Sequence, residues 1–236
     1  MIDIHCHILP GIDDGPATLA TSLAMAARAE QDGIRALIAT PHTDGIQVNR
    51  EIVDAAVRDL NLELRRRELL LEVLPGYEIP YHLAMPLAST HTLANNTRHV
   101  LIEFPYNHLP RGAMNTFFEL IGAGLVPILA HPERNDAVID NPDILRDLVN
   151  NGILVQITAA SITGELGPDI LRCSQYLLKK NMVHFLATDA HSLTYREPVL
   201  SKAVQAVSRL IGPEKTRTLV ADNPRRIITT TPPPAV

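Results

Sequence analysis

Imidazole and carboxylate side chains recur in this sequence at the points where short apolar runs end. Eight of them form a candidate metal-ligand set: His5, His7, Asp14, His42, Glu78, His131, Asp189 and His191. Because residues two apart in a strand point to the same face, His5 and His7 share a face from which Cys6 points away. Imidazole and carboxylate ligands without a thiolate suit Zn, Mn or Fe. Five histidines and three carboxylates exceed what one tetrahedral ion needs, so we predict two or three ions that share ligands.

The charge of such a site indicates an anionic substrate. Three carboxylates and three divalent ions leave a net positive pocket, which favours a phosphate group and in-line displacement at phosphorus. Arg134 lies just beyond His131 and Arg196 lies just beyond His191. Both guanidinium groups can therefore reach the same mouth and bind phosphate oxygens in pairs. For each arginine taken alone, a surface salt bridge is the alternative interpretation.

Seven apolar runs, rich in Val, Ile, Leu and Ala, precede these polar residues. Near-continuous runs of this kind are typical of parallel strands that are covered on both faces. The predicted strands are Ile2–Ile8, Ile34–Thr40, Leu69–Leu74, His99–Glu103, Val126–Ala130, Ile153–Ile157 and Val183–Ala187. The predicted helices are Leu19–Gln31, Ile52–Glu68, Met114–Ile121, Pro142–Asn150, Ile170–Lys180 and Pro198–Leu210, with a last short helix from Asn223.

The alternation of strands and helices predicts an α/β fold with right-handed crossovers and a mainly parallel sheet. Seven repeats suggest a barrel of seven units, and a doubly wound open sheet is the alternative. In a closed barrel the carboxyl ends of the strands converge on one face. Such a fold would bring the eight candidate ligands together.

Composition limits the class of protein. The chain has 236 residues, of which 46% are hydrophobic and 20% charged, as in an ordinary globular protein. We predict one domain over residues 1–228 and a flexible proline-rich tail over residues 229–236. A net charge of -5 and a sequence pI near 6.0 argue against a nucleic-acid partner. The sequence shows no signal-peptide pattern and no membrane-length apolar stretch, and its two cysteines fit a reducing cytoplasm.

Other hydrolase and nucleotide-binding chemistries lack their characteristic patterns. The sequence contains no GxSxG elbow, no GxxxxGK[ST] loop and no GxGxxG after a strand. Cys6 lies between two candidate metal ligands, and Cys173 lies in a helical pattern. Neither cysteine is placed in the phosphate-cradling loop that a cysteine-type tyrosine phosphatase requires.

The combination of these residues resembles the polymerase-and-histidinol-phosphatase (PHP) superfamily. The resemblance rests on His5-x-His7, the PGIDDG that contains Asp14, Thr40-Pro41-His42, His131-Pro132-Glu133-Arg134 and Asp189-Ala190-His191. The start MIDIHCHILPGIDDG, the LIEFP and the ILAHPER resemble its branch of bacterial tyrosine phosphatases that regulate capsule and exopolysaccharide. The similarity extends from Met1 to about Arg196.

The resemblance implies a distorted seven-stranded barrel with a trinuclear centre that is often manganese-dependent. One ion would be bound by His5, His7, Glu78 and Asp189. Glu78 would bridge to a second ion that His131 also binds. The third ion would be bound by Asp14, His42 and His191. Arg134, and less securely Arg196, match arginines that bind phosphate.

The implied function is a metal-dependent phosphomonoesterase that acts on phosphotyrosine in a protein. The implied partner is a cognate autophosphorylating bacterial tyrosine kinase of a polysaccharide-export system. Alternatives are a histidinol-phosphate phosphatase or other small-molecule phosphatase, a PHP-type nuclease, and a non-catalytic protein whose metals are structural or lost. The chain departs from the family pattern at Cys6, at Gly76-Tyr77 and at Thr158–Ser161, which lie beside the ligands and at the rim; these departures bear on substrate preference more than on activity.

Overall fold

All the strands run parallel and lie in two sheets. The computed structural model describes residues 1–229. One sheet has three strands, β1 (Ile2–Cys6), β2 (Ala36–Ala39) and β3 (Glu72–Pro75), paired in that order. The other sheet has five strands, also paired in chain order: β4 (Glu78–Pro80), β5 (His99–Glu103), β6 (Val126–Ala130), β7 (Leu154–Thr158) and β8 (Phe185–Ala187). Helices connect most successive strands, as parallel pairing requires.

The described helices comprise the seven predicted ones, whose bounds agree to within a few residues, and four short ones that were not predicted. In chain order the helices are α1 (Leu19–Gln31), α2 (Arg50–Arg66), α3 (Ala84–Leu87), α4 (Ala113–Gly122), α5 (Asp136–Asp140), α6 (Arg146–Asn150), α7 (Ala159–Thr163), α8 (Pro168–Lys179), α9 (Ser201–Ile211), α10 (Pro213–Arg217) and α11 (Asn223–Thr229). Thr18 caps α1, because its side chain accepts a hydrogen bond from the Thr21 amide. The helix predicted from Pro142 begins as a 3₁₀ turn over Pro142–Leu145, and Asn141 forms no side-chain capping bond.

The third predicted strand, Leu69–Leu74, corresponds to β3, and a further strand that was not predicted begins at Glu78. The chain pairs with β2 as far as Pro75 and then pairs with β5 from Glu78 onward. Gly76, at the change, packs so closely on β2 that a Cβ there would lie 2.5 Å from Ile38 Cγ2. The described residues therefore contain eight strands where the sequence predicted seven, because one predicted strand ends and a new one begins in the other sheet.

The two sheets meet at two seams near the carboxyl ends of their strands. At one seam the His7 amide donates to the Ala190 carbonyl over 2.8 Å, just beyond β8. At the other seam the Glu78 amide donates to the Pro41 carbonyl over 3.1 Å. Isolated bridges, one at each seam, join Cys6 to Ala190 and His42 to Glu78. His7 and His191 thus lie at or beside one seam, and His42 and Glu78 lie at the other.

A β-bulge in β1 decides which side chains face the site. The register shifts between Asp3 and Cys6, so β1 carries one residue more than the facing segment of β2. Ile4 packs in an apolar cluster formed by the strands, whereas Cys6 packs in the larger cluster between strands and helices. The extra residue thus places His5 and His7 on the side of the sheet that Ile4 also faces.

Most of the predicted tail, residues 230–236, lies outside the described residues. Thr229 closes α11, and its hydroxyl donates to the Arg225 carbonyl over 2.8 Å. Among the described helices, none combines the length and the apolar character that a membrane span requires.

Candidate metal centre

His5 and His7 direct two ring nitrogens at each other in the buried interior. Their Nε2 atoms are 3.2 Å apart. The Nδ1 of His5 lies 2.9 Å from Gln156 Oε1, and the Nδ1 of His7 lies 2.5 Å from Asp13 Oδ2. Because an amide oxygen and a carboxylate accept hydrogen bonds, each Nδ1 carries the proton and each neutral ring points a lone pair inward. Two facing lone pairs repel unless a cation or a proton lies between them.

Glu78 occupies the middle of this histidine cluster. Its Oε1 lies 2.8 Å from His131 Nε2, and its Oε2 lies 3.1 to 3.4 Å from nitrogens of His5, His7 and His42. The carboxylate is buried, and its Oε2 accepts no hydrogen bond from any of the described residues. A buried anionic oxygen without a donor, among nitrogen lone pairs, is an arrangement that metal ions stabilise.

Asp189 lies on the other side of the same two histidines. Its Oδ1 is 3.4 Å from His5 Nε2 and 3.5 Å from His7 Nε2. Its Oδ2 accepts hydrogen bonds from Arg134 over 2.6 Å and from Arg196 over 2.7 Å. One oxygen of this carboxylate thus faces the cluster and the other faces two guanidinium groups.

Three residues of this site have a backbone conformation that side chains disfavour. The φ angles are +28° at His131, +51° at Asp189 and +51° at Arg196. Non-glycine residues in this region cost free energy and persist where the surrounding structure holds them. Here the strain falls on two candidate ligands and on one candidate phosphate-binding residue.

Asp14 closes the outer side of the cluster. Its Oδ1 lies 3.3 Å from His191 Nε2 and 3.6 Å from His42 Nε2, and its side chain is 61% exposed. The His191 Nδ1 donates to the Asp189 carbonyl over 2.9 Å, which leaves the His191 Nε2 lone pair for the site. The rings of His7 and His191 stack with centroids 3.8 Å apart.

The pKa values of these side chains reflect a concentrated negative charge. Burial lowers the pKa of His7, but the hydrogen bond to Asp13 and the nearby carboxylate of Glu78 outweigh burial and raise the pKa to about 10. Glu78 and Asp189 likewise raise the pKa of His5 against the effect of burial. Burial and the positive charge of His7 lower the pKa of His191 to about 4. In the absence of metal ions, protons thus partly neutralise the carboxylates.

All eight predicted ligands lie within this one site. Their ligand atoms form four overlapping groups within 4.8 Å: His7, Asp14, His42 and His191; His5, His7 and Asp189; His5, Glu78 and His131; and His42, Glu78 and Glu103. The overlap fits several ions that share ligands better than one isolated ion.

Two acidic residues near the candidate ligands were not assigned a role from sequence. Glu103 ends β5 and its Oε1 lies 3.7 Å from His131 Nε2, so it completes the ligand set on that side. Its position at the end of a predicted strand was the available signal. Asp13 is the better buried of the neighbouring pair and orients His7, whereas Asp14 reaches the cluster. The order within Asp13-Asp14 carried no such information.

Tyr106 at the rim was also not predicted. Its hydroxyl accepts a hydrogen bond from Arg134 over 3.0 Å, and the Arg134 guanidinium lies 5.0 Å from its ring centroid. Arg134 is therefore held between an aromatic face and Asp189. The side chains of Arg134 and Arg196 are 15% and 13% exposed, so neither forms an ordinary surface salt bridge.

The two cysteines are buried and unpaired. Burial raises the pKa of the Cys6 thiol well above its usual value, and burial raises that of Cys173 to about 12. The Cys6 thiol donates to the Ala190 carbonyl over 3.6 Å. A protonated, buried thiol is a poor nucleophile, in agreement with the absence of a cysteine-type phosphatase loop at Cys6.

Comparison with known proteins identifies relatives over nearly the whole chain. The sequence model for capsular polysaccharide synthesis, CpsB/CapC, matches residues 1–229. Tyrosine-protein phosphatase YwqE of Bacillus subtilis is 41% identical over 91% of this chain and 86% of its own length. Tyrosine-protein phosphatase CpsB of Streptococcus pneumoniae is 30% identical over 97% of this chain and 98% of its own length.

Solved structures agree with the sequence comparison. A crystal structure from work on YwqE of B. subtilis and CpsB of S. pneumoniae, described as unique metal-dependent tyrosine phosphatases, superimposes with a TM-score of 0.89. It is 36% identical and covers 98% of this chain and 95% of that chain. The phosphotriesterase homology protein of Escherichia coli superimposes with a TM-score of 0.62 at 12% identity, which indicates a common fold alone.

Proposed function

Because this chain belongs to the CpsB/CapC family of capsular polysaccharide synthesis, we propose that it is a metal-dependent tyrosine-protein phosphatase. The observation that carries the proposal is the pair of His5 and His7 Nε2 atoms, 3.2 Å apart, between the carboxylates of Glu78 and Asp189. The guanidinium groups of Arg134 and Arg196 both form ion pairs with the carboxylate of Asp189. Ligands that hold cations and donors that bind phosphate thus meet in one buried site.

The proposed ligands are those predicted from sequence, with Glu103 added. His5, His7, Glu78 and Asp189 bind one ion, and Asp14, His42 and His191 bind another. Glu78 would also contribute to holding a further ion, together with His131 and Glu103. We propose two or three ions, with manganese as the working metal and iron or zinc as substitutes. When bound, such ions stabilise charge on phosphoryl oxygens and activate water.

Arg134 and Arg196 bind the phosphate oxygens in this proposal. Both guanidinium groups bond to the same oxygen of Asp189, so they share a direction of approach toward the cluster. Planar donor pairs suit phosphate, and their contribution grows as negative charge builds in the transition state. A phenolate leaving group, with a pKa near 10, needs less protonation than an alkoxide, so an acidic residue beside it is of less importance.

A protein substrate fits this surface better than a small amine phosphate. The cavity between the ligands has a volume of only about 30 Å³, and it opens beside a groove of about 610 Å³. A histidinol-phosphate phosphatase would need an enclosed pocket for the amine. The broad groove supports a polypeptide that presents its phosphotyrosine to the ions.

We further propose the cellular setting and the shape of the domain. The substrate is an autophosphorylating bacterial tyrosine kinase of polysaccharide export, and the two buried free thiols support a cytoplasmic location. Residues 1–228 form one domain in which the two sheets act together as a distorted barrel. The hydrogen bonds at both seams support this, and β3 with β4 then counts as one bent strand of seven.

Turnover of three substrates by one metal-loaded preparation tests the function. We expect kcat/KM for a phosphotyrosine peptide to exceed that for histidinol phosphate by about 10²-fold, on the scale of one lost transition-state interaction. Single-stranded and duplex DNA should not be cleaved. A higher kcat/KM for histidinol phosphate, or cleavage of DNA, would replace the proposed function with one of the two alternatives.

A further inference from the structure

An open groove on the protein surface lies next to the cavity between the candidate ligands. It shares Glu103 and Tyr106 with the cavity that the candidate ligands line. Its other walls include the aromatic rings of Tyr81 and Phe104 and three prolines. Tyr106 is 49% exposed, so the shared wall presents an aromatic surface to solvent. A molecule that extends from the ions over Tyr106 enters this groove.

The aromatic wall is held in place by its own contacts. The Tyr81 hydroxyl is 2.8 Å from the Thr116 hydroxyl on α4, and the Tyr81 ring meets Phe104 edge to face with centroids 5.4 Å apart. Phe104 in turn packs on buried Phe117, with centroids 5.7 Å apart. A surface already ordered by packing loses little entropy when it binds a ligand.

The groove has an excess of basic side chains. His82, His108 and Arg111 line it, and Glu103 is its one lining carboxylate. Glu103 faces His131 at the inner end and belongs to the metal site. Arg111 is exposed and, among the described residues, forms no ion pair or side-chain hydrogen bond. The permanent charge available to a ligand is therefore the positive charge of Arg111.

We propose that this groove binds the residues that flank the phosphotyrosine of the substrate, and that Arg111 selects an acidic side chain among them. The inference rests on the proposed function, because it needs a phosphotyrosine at the ions. A polypeptide is favoured over a small ester by exposed apolar side chains on the segments that follow other strands, namely Ile46, Met85, Leu193 and Tyr195. Complementary charge at the edge of a binding site contributes specificity more than affinity.

Two phosphotyrosine peptides that differ only in flanking charge test the inference. One has glutamates on both sides of the phosphotyrosine and the other has lysines. We expect the metal-loaded wild type to prefer the glutamate peptide in kcat/KM by about fivefold. This is the size expected when an attractive pair of exposed charges is replaced by a repulsive pair. Arg111→Glu should remove or invert this preference, and Arg111→Ala should reduce it. Higher ionic strength should also reduce it, because salt screens exposed charges.

Arg58→Glu is the matched control. Arg58 is also an exposed arginine, on α2, and has no ion pair among the described residues. This variant should keep the wild-type preference. Equal kcat/KM of the wild type for both peptides, or the same preference in Arg111→Glu as in Arg58→Glu, would overturn the inference while leaving the phosphatase function intact. Failure of the metal-loaded wild type to hydrolyse either peptide would instead refute the proposed function.

Discussion

The strands of this protein have two halves with opposite chemistry. Toward their amino ends they pack a dry apolar cluster, which includes Ile4, Ile38, Leu101, Ile128 and Phe185 and is closed by Ile227 of α11. At their carboxyl ends, or just beyond them, they carry histidines and carboxylates, most of which are buried as well. In β1 the change takes place at the bulge, between Ile4 and His5.

The difference indicates that the two halves are stabilised in different ways. The apolar half gains free energy from burial and close packing, which need nothing beyond the chain itself. The polar half concentrates buried carboxylates, and burying charge is costly unless cations or hydrogen bonds compensate. Changes in the polar half should therefore affect metal binding and activity, and changes in the apolar half should affect the free energy of unfolding.

Removing the metal ions should have the largest effect. We expect a chelator to lower turnover of a phosphotyrosine peptide by at least about 10³-fold, because ions supply several kcal/mol of charge stabilisation. Adding Mn²⁺ back should restore it. Elemental analysis of the active protein should find two or three ions per chain. Full activity in a preparation with less than one ion per chain would refute the shared-ligand centre.

Arg134→Ala should have the next largest effect. Its guanidinium lies 2.6 Å from Asp189 Oδ2 but cannot bind a metal ion. We expect turnover to fall about 10²-fold with metal content unchanged, the effect of one lost transition-state donor. Arg134→Lys should recover only part, because an ammonium lacks the planar fork.

His131→Ala is the control for this measurement. His131 Nε2 lies 2.8 Å from Glu78 Oε1 within the ligand cluster, so its loss should lower both metal content and turnover. If Arg134→Ala loses metal as His131→Ala does, Arg134 supports the ligand shell through Asp189. Full activity of Arg134→Ala would mean that it does not bind the phosphate.

Metal affinity should rise with pH, by about tenfold per unit for each proton released. The pKa of His7 is raised to about 10 without metal, chiefly because Asp13 and Glu78 outweigh the effect of burial. Below that pH a proton occupies the Nε2 lone pair, which an ion must displace. Calorimetric titrations of the metal-free protein with Mn²⁺, in two buffers of different ionisation enthalpy between about pH 6 and 9, should detect at least one proton released on metal binding. A pH-independent affinity would show that His7 is not a ligand.

Much of the fold and the candidate site could be predicted from sequence, because both depend on local patterns. β5 and β6 have the predicted bounds, since apolar β-branched runs mark buried parallel strands. The eight predicted ligands converge because most of them lie at or just beyond the carboxyl end of a strand, although Glu78 begins β4. The alternation of parallel strands and helices thus indicated that ligands distant in sequence would lie close together.

What could not be predicted depends on geometry between elements. The start of β4 at Glu78 follows from the tight packing of Gly76 on Ile38, which no local pattern encodes. The roles of Asp13 and Tyr106 depend on how loops approach the cluster. The bulge in β1 was also not predicted, although it allows His5 and His7 to face the site.

Ile128→Val should have the smallest effect and should act on the apolar half alone. Ile128 is fully buried in β6, and losing one methylene group there should lower the free energy of unfolding by about 1 kcal/mol. Metal content and kcat/KM should stay within about twofold of wild type, because the free energy lost lies in packing that the ligands do not share. Denaturant unfolding of the metal-loaded protein measures the loss in free energy of unfolding. Arg134→Ala should show the opposite pattern, in which activity is lost while the free energy of unfolding is nearly unchanged. If Ile128→Val instead lowered metal content or turnover as much as it lowered stability, the two halves would be coupled through β6. The ligand geometry at His131, just after that strand, would then depend on packing in the apolar cluster.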